Sequence, residues 1–163
     1  MKETLLFPTK NDLGAEIREK ATAILNQHLA DATDLYNQTK HAHWNVKGMQ
    51  FFQLHELFDT LADSLEEYAD LIAERATALG GIARGTVRAS AAASRLPEYP
   101  VEARNGRQHV EALSARFSML AASSRAAIEA TDAMGDADSA DVFTEVSRGL
   151  DKHLWFLESH LEE

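Results

Sequence analysis

An all-α fold, an antiparallel four-helix bundle with one long crossover, is the class this sequence predicts, and three observations predict it. Apolar residues recur at helical spacing over four long segments, no segment alternates convincingly as a strand does, and the strongest breakers fall between those segments. The first segment carries Ala15, Ile17, Ala21, Ile24, Leu25, Leu29, Ala32 and Leu35 on one stripe, so a helix is expected over about 12–46, with Asp12 as a candidate cap. Gly48 ends it. A second helix is expected over 52–79, with Leu54, Phe58, Leu61, Leu65, Tyr68, Ile72 and Leu79 inward, before Gly80–Gly81 stops it. Residues 82–104 make the crossover, where alanine-rich 86–94 suits a short helix and Pro97 and Pro100 suit an irregular end. Helices over 105–131 and 138–160 complete the bundle through Val110, Leu113, Phe117, Leu120 and Ile128, and through Val142, Val146, Leu150, Leu154 and Leu157.

Bulk composition narrows the chemistry. The 163 residues suit a single domain, 1–163, large enough to bury a real core. The hydrophobic share of 45% argues against disorder, and no apolar run approaches the roughly 20 residues of a membrane span. The opening MKETLLFPTKND, with Glu3 and an early proline, does not read as a secretory leader, so a cytoplasmic protein is expected. With no cysteine there can be no disulfide, thiolate metal site or cysteine nucleophile. Any metal must be held by nitrogen and oxygen. A formal charge of −10 repels nucleic acid on average, and neither end carries a lysine-rich arm.

The acid is concentrated. Residues 51–79 hold Glu56, Asp59, Asp63, Glu66, Glu67, Asp70 and Glu74 against Arg75 alone, a local balance of −6. On a helical wheel His55, Asp59, Asp63, Glu66, Asp70 and Glu74 lie opposite the core stripe. His55 and Asp59 are four apart, as are Asp70 and Glu74, so each pair can address one ion from one face. Asp59 and Asp70 are separated by about 16 Å along the helix, whereas ligands sit about 2.0–2.2 Å from a transition metal. One copy cannot close a site. Two copies packed antiparallel about a two-fold axis near residues 64–65 would set His55 and Asp59 of one against Asp70 and Glu74 of the other, making two equivalent sites. His43, near the break, can add a nitrogen. The usual intra-bundle di-iron motif, Glu-x-x-His, does not occur in this sequence. Plainer readings stand beside these: His43 beside Trp44 as a hydrogen-bonded core residue, and Asp63, Glu66, Glu67 and Glu56 as solvated acids.

The run His43-Trp44-Asn45-Val46-Lys47-Gly48, followed by Phe52, Leu54-His55, Phe58-Asp59, Asp70, Ala73-Glu74-Arg75 and Leu79-Gly80-Gly81, resembles the signature of the Dps family, the mini-ferritins. The resemblance covers most of the chain and implies a ferritin-like bundle with its extra crossover helix at a dimer interface. It further implies a hollow homo-dodecamer that oxidises Fe²⁺ at sites shared across two-fold dimers, preferring hydrogen peroxide to dioxygen, and stores ferric mineral. In that frame His43, His55 and Asp59 come from one subunit and Asp70 and Glu74 from its partner. Glu74 binds iron most directly, zinc can occupy the same ligands, and Trp44 is either an electron donor or a packing residue. Asp132, Asp136, Asp138 and Asp141 precede the last helix, where the family places a three-fold entry pore; Asp132 and Asp141 are the candidates, against a capped, solvated loop. Glu56, Asp59, Asp63 and Glu67 would face the cavity and help nucleation. His28, His41, His109, His153 and His160 fall outside the signature and read best as structural or surface residues. Two alternatives remain: a DNA-condensing nucleoid protein, for which the missing basic arms are unfavourable, and a bundle whose metal site is degenerate.

Overall fold

The computed structural model describes residues 6–162, so Glu3, on which the reading of the opening segment draws, lies outside the described residues. Five helices follow in order: α1 Ala15–Asn45, α2 Phe51–Ala78, α3 Val87–Ala93, α4 Gly106–Ala133 and α5 Ala137–Glu158. Every long helix predicted from periodicity is present, with ends displaced by a few residues. Asp12 is not the cap of α1. Gly14 occupies that position without a side-chain hydrogen bond, and the Asn11 carboxamide oxygen accepts from the Leu13 amide just upstream. Gln50 at the start of α2 likewise makes no side-chain capping bond, whereas the other three helices are capped conventionally. Thr86 accepts from Ala89 at α3, Asn105 and Gln108 form a reciprocal box at α4, and Asp136 accepts from Ser139 at α5.

Helix α1 packs along α2 and α4 along α5. The core between them is built from Leu25, Leu29, Leu35, Leu54, Phe58, Leu61, Leu65, Ile72, Leu113, Phe117, Leu120, Phe143, Val146 and Leu150. Tyr68, expected in that stripe, is half-buried. The double glycine after α2 has two separate causes. Gly80 adopts φ 83°, and a Cβ on Gly81 would lie 2.4 Å from Thr22 Cγ2 of α1. Among the described residues the only β pairing is an isolated bridge between Lys47 and Asn105, and no helix is long and apolar enough to cross a membrane.

The crossover is pinned to α1 by polar contacts. Asp31, 1% exposed, accepts from the Arg95 backbone amide at 2.8 Å and from its Nε at 2.9 Å. Asp34 accepts from Ser94 Oγ at 2.6 Å, and Gln27 and Gln38 donate to the Ala93 and Pro97 carbonyls. These bonds satisfy a loop that periodicity alone could not place.

Candidate metal centre

The end of α1 and the first turns of α2 bring His43 and His55 face to face. Their rings stack with centroids 3.7 Å apart and planes 19° off parallel. Each imidazole bonds the other residue's backbone: His43 Nδ1 donates to the His55 carbonyl at 2.7 Å and His55 Nδ1 to the His43 carbonyl at 2.9 Å. A carbonyl can only accept, so both Nδ1 atoms carry hydrogen and both Nε2 atoms, when the rings are neutral, present lone pairs. This crossed pair of bonds fixes tautomer and ring orientation together, the outer-shell arrangement that metal-binding imidazoles require.

Asp59, one turn beyond His55, brings Oδ1 to 3.8 Å from His43 Nε2. The same oxygen accepts from Lys40 Nζ at 2.5 Å. That hydrogen bond holds the Asp59 carboxyl below the usual carboxylate range and lifts the Lys40 ammonium above its own. Lys40 was not singled out from the sequence. It lies three residues before His43, so both share a helix face, and that spacing was the available signal. Trp44 is 65% exposed, with Lys40 Nζ 5.9 Å from its ring centroid. It does not pack in the core of its own chain.

Asp70 and Glu74 lie exposed farther along α2. Among the described residues of one chain, no three His, Asp or Glu side chains gather into a group able to hold a metal ion. Asp70 lines an open groove of ≈ 550 Å³ between α1, α2 and the start of the crossover, together with Glu66 and Glu67. Glu56 and Asp63 are exposed on α2, and Asp132 and Asp141 are exposed near the α4–α5 turn.

Asp136 separates from that turn's acids. It is 1% exposed, accepts from Arg75 Nη2 at 2.6 Å and from Ser139 Oγ at 2.6 Å, and caps α5. Arg75, which follows Glu74, also donates from Nε to Ser139 Oγ at 2.9 Å. The basic residue of α2 therefore neutralises an acid at the head of α5 and not its own helix's row. His28, His109 and His153 are core residues, His41 is half-buried and His160 is exposed.

A family model for the ferritin-like domain matches residues 22–163. The DNA protection during starvation protein of Agrobacterium fabrum is 44% identical over 155 residues, covering 95% of this chain and 96% of that protein. The chain belongs to the Dps family. Among solved structures, DpsA14 from Streptomyces coelicolor superposes with a TM-score of 0.92 at 30% identity, covering 99% of this chain and 95% of that one. Dps from Staphylococcus aureus gives 0.83 at 34% identity, over 88% and 95%. This Dps is thus an all-α protein whose four long helices and short crossover helix follow the family architecture.

Proposed function

We propose that this Dps is an iron-sequestering ferroxidase whose sites are completed between two subunits of a homo-dodecamer. The observation that carries the reading is the crossed His43–His55 lock, which leaves both Nε2 lone pairs uncommitted and sets that of His43 3.8 Å from Asp59, while Asp70 and Glu74 stand too far down α2 to join them. A second α2, packed antiparallel across a two-fold axis, supplies the missing carboxylates. Fe²⁺ is the substrate. Neutral imidazole binds it, carboxylates favour the ferric product, and no thiolate competes. Zinc, equally suited to nitrogen and oxygen ligands, would compete for the same position.

Two ferrous ions each give one electron to one hydrogen peroxide, and with two protons the products are two ferric ions and two waters. Pairing the electrons avoids a free hydroxyl radical. Dioxygen serves as a slower oxidant. For Asp59 to reach iron, its bond to Lys40 must open, so Lys40 holds the carboxylate in place until a cation displaces it. Exposed Asp132 and Asp141 are assigned to iron entry, where three copies would focus a negative field. Exposed Glu56 and Asp63 are assigned to mineral nucleation, and Trp44, outside the core and beside Lys40, to donating electrons near the site.

Complementation tests the shared site directly. Subunits carrying His55→Ala and Asp59→Ala, and others carrying Asp70→Ala and Glu74→Ala, would each oxidise Fe²⁺ slowly with peroxide in stopped flow. Co-assembled, a mixed dimer would hold one intact site and recover activity. No recovery in mixed shells of confirmed composition would refute sharing. The relatives' name is consistent with protection through iron removal, and with a net charge of −10 direct DNA binding is expected to be weak and salt-sensitive in a gel shift.

A further inference from the structure

On the core side of the same helix turns lies a second group of rings that the iron chemistry above does not use. Tyr99, in the crossover and 7% exposed, places its hydroxyl 2.6 Å from His109 Nδ1 on α4. The other ring nitrogen, His109 Nε2, is buried, and the Asn45 backbone carbonyl is placed to accept from the ring only weakly. If His109 donated to Tyr99, both the tyrosine O–H and the Nε2 lone pair would go unmet; if Tyr99 donates, neither does, and Nε2–H is left to the Asn45 carbonyl. The second arrangement is the better satisfied, so Tyr99 is the donor and His109 the acceptor. Burial acts the same way, raising the phenol's pKa and lowering the imidazole's, which keeps the pair neutral. What imidazole offers that a carboxamide does not is the capacity to take the proton.

The surroundings favour loss of that proton upon oxidation. Arg116 sits 5.4 Å from the Tyr99 ring centroid, fixed by bonds from Nη1 to the Ala112 carbonyl and from Nη2 to the Glu98 carbonyl. A fixed cation beside the ring opposes a phenol radical cation, so an electron can leave only as the proton moves. The pair also borders the candidate metal centre. His41, whose ring meets Tyr99 edge-on at 5.1 Å, precedes His43 by two residues, and Phe58, 6.3 Å from the His109 ring, immediately precedes Asp59.

We propose that Tyr99 and His109 form a proton-coupled one-electron relay that quenches strong oxidants arising beside the iron-binding residues. The oxidant class is the hydroxyl radical, released with hydroxide and Fe³⁺ when a single Fe²⁺ meets one peroxide; for this source the inference rests on the proposed iron chemistry. The Tyr99 O–H bond breaks, an N–H bond forms at His109 Nδ1, and the electron reduces the radical to hydroxide. A later Fe²⁺ returns one electron and becomes ferric, while His109 returns the proton and Tyr99 is restored.

Azide radicals generated by pulse radiolysis test the pair without iron. In the assembled protein they oxidise tryptophan and tyrosine, and the phenoxyl absorption reports where the hole settles. Tyr99→Phe is expected to lose most of the long-lived phenoxyl signal, whereas Tyr36→Phe with Tyr68→Phe, which leaves Tyr99 as the sole tyrosine, keeps it. His109→Gln retains an acceptor but no base, so the signal should rise more slowly and lose its pH profile. An undiminished signal in Tyr99→Phe, or an unaltered rise and pH profile in His109→Gln, overturns the relay. In a parallel arm, excess peroxide is mixed with less than one Fe²⁺ per subunit and the radical is read by electron paramagnetic resonance. Iron oxidation without a Tyr99-dependent radical overturns the relay's link to iron. If no iron is oxidised, the ferroxidase reading fails while the azide arm still decides the relay.

Discussion

Two populations of histidine occupy this subunit, and they differ in what each ring does with its second nitrogen. At the α1–α2 corner, His43 and His55 each spend Nδ1 on a backbone carbonyl and keep Nε2 clear of any hydrogen bond, with that of His43 3.8 Å from the Asp59 carboxylate. Inside the bundle, His28 bonds the Ile24 carbonyl through Nδ1, lies within reach of the Ser123 backbone and is buried against the Phe143 ring. His153 buries Nδ1 likewise, among Tyr68 and Phe117. Imidazole content does not mark the site. The feature that sets the corner pair apart is a locked tautomer with its other nitrogen left uncommitted. The carboxylates divide similarly: Asp31 and Asp136 are enclosed by arginine, while Asp63, Asp70 and Glu74 are exposed.

The largest effect expected from this division is kinetic. His55→Ala and Glu74→Ala should each slow peroxide-driven Fe²⁺ oxidation by at least about 10- to 100-fold. His28→Gln should leave the rate of correctly assembled shells unchanged. Equal losses at His28 and His55 in stopped flow would erase the distinction between the two populations.

For the acids the contrast should appear in stability. Asp136→Ala removes the α5 cap and takes from a mostly buried Arg75 its nearest carboxylate, leaving exposed Asp138 at 3.5 Å, a loss of about 3 kcal/mol at the low end of broken buried pairs. Asp63→Ala, on an exposed face, should stay within about 0.5 kcal/mol. Denaturant midpoints of the two variants measure this, and comparable shifts would mean that the outward row is structurally engaged.

A third effect follows from the buried rings. Burial is the first cause lowering the pKa of His28, His109 and His153 from the ordinary 6.5. In the unfolded chain each takes up a proton near pH 6.5, while the folded subunit resists until a lower pH. The stability these rings contribute is therefore complete above that value and is lost as pH falls below it, by at most about 1.4 kcal/mol per pH unit for each histidine. His28→Leu should flatten the acid limb of a stability–pH curve measured at fixed protein concentration. An unchanged limb would show that His28 titrates normally in the fold.

How much of this was legible in the sequence depended on the range of the interaction. Helix periods, the glycine breaks and the i,i+4 pairs are local, so the four long helices and the His55–Asp59 and Asp70–Glu74 pairs could be read directly. Asp136 could have been separated from its neighbours, because an Asp three residues before Ser139 at a helix start is a capping pattern. The Tyr99–His109 contact depends on the path of an irregular crossover and had no periodic signal. Asp12 failed as a cap because Asn11 and Gly14 organise that turn differently, a choice decided by local hydrogen bonding that residue type alone leaves open.

Lys40 gives the smallest effect and the finest test of the surroundings of the His43–His55 pair. Its ammonium occupies the Asp59 oxygen nearest His43 Nε2, so an arriving cation must compete with it. With the Asp59 side chain 44% exposed, water and salt screen the pair, and such exposed pairs are worth about 0.2–1 kcal/mol. Lys40→Gln should therefore tighten Zn²⁺ binding at this position only about 1.4- to 5-fold in calorimetric titration. The gain should shrink at high ionic strength, where screening already weakens the native pair. Weaker binding in Lys40→Gln would reverse the assignment: Lys40 would then be aligning Asp59 for the metal, and the free carboxylate would swing away from the imidazoles once its tether was cut.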